Sequence, residues 1–449
     1  MTVAQTSTPR TNVLWVFGDQ HRAQACGHAG DPNVRTPHLD RLAAGGTTFA
    51  AVMGTPLCSP CRGSLLTGRY PHRCVPGHEF PLPAGQPTIA TAFRAAGYRT
   101  AYFGKWHLDG WHERDGRAAL HIVPPDRRGD FDDWLGYENN NRQWDCWVHG
   151  GAGDDASHER LPGYETDALT DRLIAWLRAR GRAAGGGDDR PFFAALSVQP
   201  PHDPYVAPAE WMARHTPGAI RLRPNVPEVP WVVERARRDL AGYYAMIENL
   251  DWNLGRIRDA LAELGLADDT QIVFFSDHGD LHGSHGQFGK TAPWEEAIRV
   301  PFVVGGPPGY RNRIGRSPIP LNHVDVAPTT LGLCGIATPA WMDGTDYSHH
   351  CLHGRPAADE PDSAFLQLVV PTGHGDSVDR PWRGVVTRDG WKYVALEGQP
   401  WLLFNLRDDP HELANLAHNT RFAAARRALH ERLAAWLADT GDRFALPEV

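Results

Sequence analysis

Cys58-Ser59-Pro60-Cys61-Arg62, continuing as Gly63-Ser64-Leu65-Leu66-Thr67-Gly68-Arg69, is the stretch on which the reading of this chain turns. A cysteine, a proline two residues on and an arginine two further open a segment of helical character. The spacing carries two meanings. Cys58 and Cys61 form a C-x-x-C pair, the arrangement of redox thiols and of thiolate metal sites. In the second meaning Cys58 is the precursor of a different nucleophile, and Pro60 and Arg62 complete its setting. A redox pair normally sits beside a βαβ pattern in a much smaller domain, and it leaves Pro60 and Arg62 without a role.

Four short runs rich in β-branched and aromatic residues surround this stretch: Asn12–Phe17, Thr100–Phe103, Phe192–Val198 and Gln271–Phe275. Each reads as a buried strand. Helical patterns at Thr88–Ala96, Glu165–Arg180 and Asp239–Leu264 lie between them. The alternation predicts an α/β fold with a large, doubly wound, mainly parallel sheet sandwiched by helices. Residues with catalytic capacity follow each run: Asp19 and Gln20, then Lys105 and His107, then His202, then Asp277 and His278. In open α/β sheets ligands bind beyond the carboxyl ends of the strands. Four separate segments therefore deliver acids, imidazoles and a lysine to one edge.

Each of these residues alone has a plainer reading. Asp19 could cap a helix, Asp277 could close a strand-to-loop turn, and Lys105 could be a solvated surface lysine. His202, in the proline-stiffened segment Pro200–Pro204, could be a turn histidine bonded to backbone. His278, His282 and His285 could form a self-contained metal tract, although three glycines among them argue against a continuous helix. Taken together, Asp19, Asp277 and His278 have the chemistry of hard-metal ligands. Carboxylates suit Ca²⁺, Mg²⁺ or Mn²⁺, and an imidazole leans toward Mn²⁺ or Zn²⁺. Gly104 is read as admitting a ligand close to the backbone beside Lys105.

A chain of 449 residues exceeds one average domain. A composition shift near Gly354–Asp362 precedes short runs at Gly384–Thr387, Trp391–Leu396 and Trp401–Leu406, spaced like an antiparallel meander, and a terminal amphipathic helix at about Arg421–Ala438. Two parts are expected: a catalytic domain over residues 1–360 and a small α+β domain over 361–449. Gly181–Asp189 reads as an exposed loop. No apolar run approaches a bilayer span, and the net charge of −8 gives no footprint for nucleic acid or an anionic membrane. Seven cysteines spread thinly argue against a disulfide framework. With no signal-peptide pattern at the N-terminus, the expected location is the cytoplasm.

These segments together resemble the type I sulfatases of the alkaline-phosphatase-like superfamily. Cys58-x-Pro60-x-Arg62 with Thr67-Gly68-Arg69 is similar to that family's modification motif. Gly97–His107 is similar to its second signature. Asn12–Gln20, Pro200–Tyr205, Ser276–Asp280 and Leu403–Ala417 follow in the family's order. The resemblance implies hydrolysis of a sulfate ester of a small organic, sugar or aryl alcohol, with release of sulfate. It implies that Cys58 is oxidised to formylglycine by a formylglycine-generating enzyme. A hydrated aldehyde has two hydroxyls on one carbon: one attacks sulfur, and loss of the other's proton then expels sulfate.

The resemblance further assigns one divalent cation, Ca²⁺ first with Mn²⁺ or Mg²⁺ as alternatives, to Asp19, Gln20, Asp277, His278 and residue 58. It assigns Lys105, His107, His202 and Lys290 to the sulfate and the leaving group, with Arg62 as a brace. His78 falls at a substrate-binding position where relatives often carry Asn. Gln20 stands where many sulfatases have a second Asp. That pattern is similar to phosphonate monoester and phosphodiester hydrolases on the same scaffold, which are the alternative reading. The expected partner is a small anionic substrate, with self-association left open. Substrate-pocket candidates are Trp111–Arg117, Asn139–Trp147, with Trp144 and Trp147 as sugar platforms, and Gly373–Arg383.

Overall fold

A computed structural model describes residues 11–150, 158–181, 189–306, 315–373 and 379–449. In chain order its strands are β1 (Asn12–Gly18), β2 (Thr47–Phe49), β3 (Arg99–Lys105), β4 (Asp133–Tyr137), β5 (Trp147–Gly150), β6 (Glu159–Arg160), β7 (Phe192–Ser197), β8 (Thr270–Ser276), β9 (Val303–Gly305), β10 (Arg316–Ser317), β11 (Ser363–Leu368), β12 (Trp382–Thr387), β13 (Trp391–Leu396) and β14 (Gln399–Asn405). The first ten form one sheet in the order β10-β2-β9-β8-β1-β7-β3-β4-β5-β6. The four expected strands are neighbours at its centre, β8-β1-β7-β3, and all run parallel. Their carboxyl ends therefore open on one edge.

The apolar run of β1 is continuous because both faces are covered. Val13, Trp15 and Phe17 point into a core with Leu65, Leu66, Phe93 and Leu331. Leu14 and Val16 point to the other side, among Leu42, Leu173, Leu250 and Leu254. The long helix Pro230–Glu263 supplies much of that second layer. It begins at Pro230 rather than at Asp239. Proline suits the first turn of a helix, and Val232, Ala236 and Leu240 continue the buried i, i+4 stripe backward.

The last four strands make a separate antiparallel sheet, β11-β12-β13-β14. One face, with Leu366, Trp382 and Val394, packs on Leu57, Leu281 and Ile298 of the large sheet's loops. The other face is covered by helix Ala423–Thr440 through Leu429, Leu433 and Leu437. The fold is thus α/β, a large mixed and mostly parallel sheet flanked by helices, with a small antiparallel sheet beside it. No helix among the described residues is long and apolar enough to cross a membrane. The loop expected at Gly181–Asp189 falls almost wholly outside the described residues, as do residues 374–378 of the pocket candidate Gly373–Arg383.

Gly104 corrects one expectation. Its φ is +104°, and a Cβ there would lie 1.9 Å from the Ser197 carbonyl oxygen on β7. The glycine serves strand packing rather than approach of a ligand.

Candidate active site

Cys58 is the first residue of helix Cys58–Thr67, all ten residues of which are buried. Its Sγ lies 3.2 Å from His278 Nε2, 3.6 Å from Asp19 Oδ1 and 3.0 Å from Lys290 Nζ. One ligand atom each from Asp19, Cys58, Asp277 and His278 falls within 4.8 Å of the others, a group able to hold a metal ion. His278 Nδ1 faces the Gly279 carbonyl at 2.9 Å, so that nitrogen carries the proton and Nε2 offers its lone pair to the Cys58 side. A carbonyl-anchored imidazole with a free nitrogen turned to a carboxylate pair is the arrangement of a metal-ligating histidine.

Arg62 lies beneath this group and is 2% exposed. Its Nη2 donates to Asp19 Oδ2 at 3.2 Å and its Nε to Asp277 Oδ2 at 3.0 Å. Its Nη1 donates to Ser197 Oγ at 2.8 Å and to the Lys105 carbonyl at 3.0 Å. One guanidinium thus fixes both carboxylates against the ends of β7 and β3. Lys105 is fully buried and donates to Asp19 Oδ2 at 2.6 Å, which excludes the surface-lysine reading. Asp19 caps no helix. Gln20 and His107 hold φ of 73° and 59°, and Thr291, beside Lys290, holds 73°. Left-handed backbone at non-glycine residues costs free energy and collects at functional sites.

The field here divides the two cysteines. Burial would raise the Cys58 thiol, but the Lys290 and Lys105 ammonium groups override it and hold it well below the ordinary range. Burial pushes the Cys61 thiol well above that range, and Asp277 adds to the effect. Cys61 Sγ donates to the Asp277 carbonyl at 2.8 Å, and neither cysteine is in a disulfide. For Asp19, burial also acts upward, yet the Lys105 and Lys290 ammonium groups prevail and keep the carboxyl well below the usual carboxylate range. Burial brings His107 down to about 4, with Lys105 adding to that, so it is neutral at neutral pH beside Cys58.

His202 is bonded to backbone, as in its plainer reading, and also faces Lys290. Its Nδ1 meets the Asp203 carbonyl at 2.8 Å, and its Nε2 lies 3.0 Å from Lys290 Nζ. An ammonium only donates, so Nε2 is the acceptor and Nδ1 bears the hydrogen. The histidine tract is divided rather than gathered. His278 joins Cys58, His282 packs on Tyr243, and His285 stacks on Trp294. His78 lies 3.7 Å from Glu79 and 5.4 Å, ring to ring, from His107, outside the metal group. Trp144 is 48% exposed and leans on Tyr164, while Trp147 Nε1 donates to Asp145. Immediately before Trp144, Gln143 Nε2 donates to the carbonyls of His202 and Pro204, so this segment braces the His202 loop. Ser197, Tyr205 and Asp280 also contact site residues. All three lay inside or beside motifs already quoted, but their side chains follow no spacing that points to these contacts.

The family described as Sulfatase matches residues 11–336, and that described as N-sulphoglucosamine sulphohydrolase, C-terminal, matches 283–439. The chain belongs to the sulfatase family. An ulvan-active sulfatase of Formosa agariphila is 33% identical over 99% of this chain and 84% of its own length. A crystal structure from Bacteroides fragilis, a sulfatase named yidJ, superposes with a TM-score of 0.86 at 27% identity over 98% of both chains. A phosphonate monoester hydrolase of Agrobacterium radiobacter superposes with a TM-score of 0.76 at 25% identity over 96% of both. The protein is a sulfuric ester hydrolase: it cleaves a sulfate ester to an alcohol and inorganic sulfate.

Proposed function

We propose that this sulfatase works through a formylglycine at position 58 and one divalent cation, and that its substrate is a sulfate ester of a sugar, the class suggested by the relative named for activity on ulvan. The observation that carries the reading is the meeting of Cys58, at the start of a buried helix, with Asp19, Asp277, His278 and Lys290 at one strand edge. Asp19, Asp277, His278, the Gln20 amide oxygen and residue 58 would hold the cation. Ca²⁺ is the first candidate, with Mn²⁺ and Mg²⁺ the alternatives. The cation, when bound, supplies Lewis-acid stabilisation of charge on the sulfate.

The side chains divide the remaining work. Arg62 holds the two ligand carboxylates in place through an ion pair to each. Lys105 and Lys290, both buried, oppose the sulfate charge, which is electrostatic stabilisation. Lys290 is protonated and hydrogen-bonded to the neutral His202, so the pair holds a proton beside the leaving alcohol. His107, neutral and with both ring nitrogens buried and unpartnered among the described residues, can take a proton from a hydroxyl at residue 58. The helix N-terminus at residue 58 favours the anion. Residues 1–360 would carry this chemistry, with 361–449 as the C-terminal domain, and a formylglycine-generating enzyme would act before the fold closes over residue 58.

A second reading on the same scaffold, phosphonate monoester or phosphate diester hydrolysis, is favoured by Gln20 and by the Agrobacterium neighbour. Turnover of sulfate monoesters, including sulfated sugars, against phosphate diesters by metal-loaded protein separates the two. A higher kcat/KM on the sulfate monoester is expected. Negligible sulfate-ester turnover by fully converted protein overturns the main reading.

A further inference from the structure

Gln20 is the one candidate cation ligand whose chemistry does not fix its donor atom. An amide presents an oxygen or, turned over, an NH₂ group, and a cation accepts only the first. Three neighbours decide which end faces the Cys58 pocket. Lys290 Nζ, which also donates to Cys58 Sγ, donates to Gln20 Oε1 at 3.0 Å. Tyr205 OH spends its hydrogen on Asp280 Oδ2 at 2.6 Å, so toward Gln20 Nε2, 3.3 Å away, it only accepts. Gln20 Nε2 donates to Asp280 Oδ2 in a short contact. The Asp280 carboxylate is itself held by the His282 backbone N–H at 2.9 Å and is fully buried. Asp280 is outside the group of metal-capable residues at Cys58.

We propose that Asp280 is a positioning residue that locks the Gln20 amide with its oxygen toward the cation. The carboxylate that many sulfatases carry at position 20 is here moved one hydrogen bond outward, to position 280. The inference rests on the cation reading given above. It has a consequence that a merely structural residue lacks. An asparagine at 280 can donate as well as accept, so it no longer dictates which way Gln20 faces and leaves only the Lys290 bond to hold the oxygen in place. If position 20 is Asp, a carboxylate at 280 becomes a like charge in contact and harms the site. Asp280→Asn should therefore weaken the site when residue 20 is Gln and improve it when residue 20 is Asp.

The test is titration of CaCl₂ and MnCl₂ into chelator-treated full-length protein, followed by calorimetry and by the shift in melting temperature. Relative to the native chain, D280N should lose at least about tenfold in affinity, the usual scale for a lost support of a metal ligand. Q20D/D280N should bind more tightly than Q20D. Folded D280N that binds within about threefold of the native chain overturns the proposal, and so does a loss on Asp280→Asn in both backgrounds. Should D280N alone not fold, the Q20D and Q20D/D280N pair decides: a gain supports the proposal, and no gain overturns it. A native chain that binds neither ion overturns the cation reading itself, whereas native binding with the wrong mutant pattern overturns the role of Asp280 alone.

Discussion

Two clusters of buried charge stand close together in this protein and do opposite things. At the strand edge, Lys105, Lys290 and Arg62 surround Asp19 and Asp277 and leave Cys58 and the His278 Nε2 lone pair facing a shared point. At the junction with the small sheet, Lys392 of β13 donates to the Pro293 carbonyl at 2.8 Å and to Glu295 at 3.1 Å, and it pairs with Glu412. Glu412 in turn accepts the Glu295 N–H, and Arg223 and Asn225 both donate to Glu296. Both clusters are rich in carboxylates and contain histidine, and both offer metal-capable groupings. The first turns ligand-capable atoms toward one another, a group able to hold a metal ion. The second ties Lys392 and Glu412 of the C-terminal part to the segment that follows Lys290. Counting buried charges does not separate a site from a clamp; where the free atoms point does.

The comparison can be broken from either side. Replacing Cys58 by Ala should abolish sulfate-ester turnover, by about 10³-fold or more, with the melting temperature nearly unchanged. A large loss of stability with residual turnover would put Cys58 among structural residues. Lys392→Met should do the reverse. Removing one partner of a buried ion pair costs about 3–5 kcal/mol, and folded enzyme should keep kcat within a few-fold. Urea unfolding beside steady-state kinetics reads both effects.

A buried carboxylate outside both clusters adds to the contrast. Asp325 accepts the backbone N–H groups of Asn322 and Thr345 and has no cationic partner among the described residues, so burial raises it to about 7. In the unfolded chain it ionises near 3.8, and the folded state alone keeps the proton between those values. Its contribution therefore favours the fold at low pH and is lost as pH rises toward about 7. The melting temperature of D325N relative to the native chain should rise from pH 5 to pH 8, and a gap that stays flat or closes contradicts this. Cys61→Ala should have the smallest effect on chemistry, less than about tenfold in kcat/KM, because Cys61 faces the Asp277 carbonyl rather than the pocket.

Much of this was legible in the chain. The four central strands announce themselves because a parallel strand buried on both faces is apolar without interruption, and the polar residues after each are forced to one edge by parallel pairing. The outer strands of the large sheet, β2, β4 to β6, β9 and β10, and the edge strand β11 of the small one escaped. They are short or half-polar, and their pairing is decided by partners distant in sequence. The histidines at 278, 282 and 285 gave no sign of parting company, since loop geometry rather than periodicity separates them. Asp280 and Tyr205 lay within quoted segments, but a side-chain hydrogen bond to an amide 260 residues away has no sequence signature.

The central claim is that residue 58, once converted, is the nucleophile of a sulfatase. Its most direct measurement pairs mass spectrometry of the peptide spanning residue 58 with sulfate-ester turnover on preparations of differing conversion. Turnover rising in proportion to the aldehyde fraction, and vanishing with the thiol form, is the predicted result. Turnover that is independent of conversion, or absent from fully converted and metal-loaded protein, would contradict it.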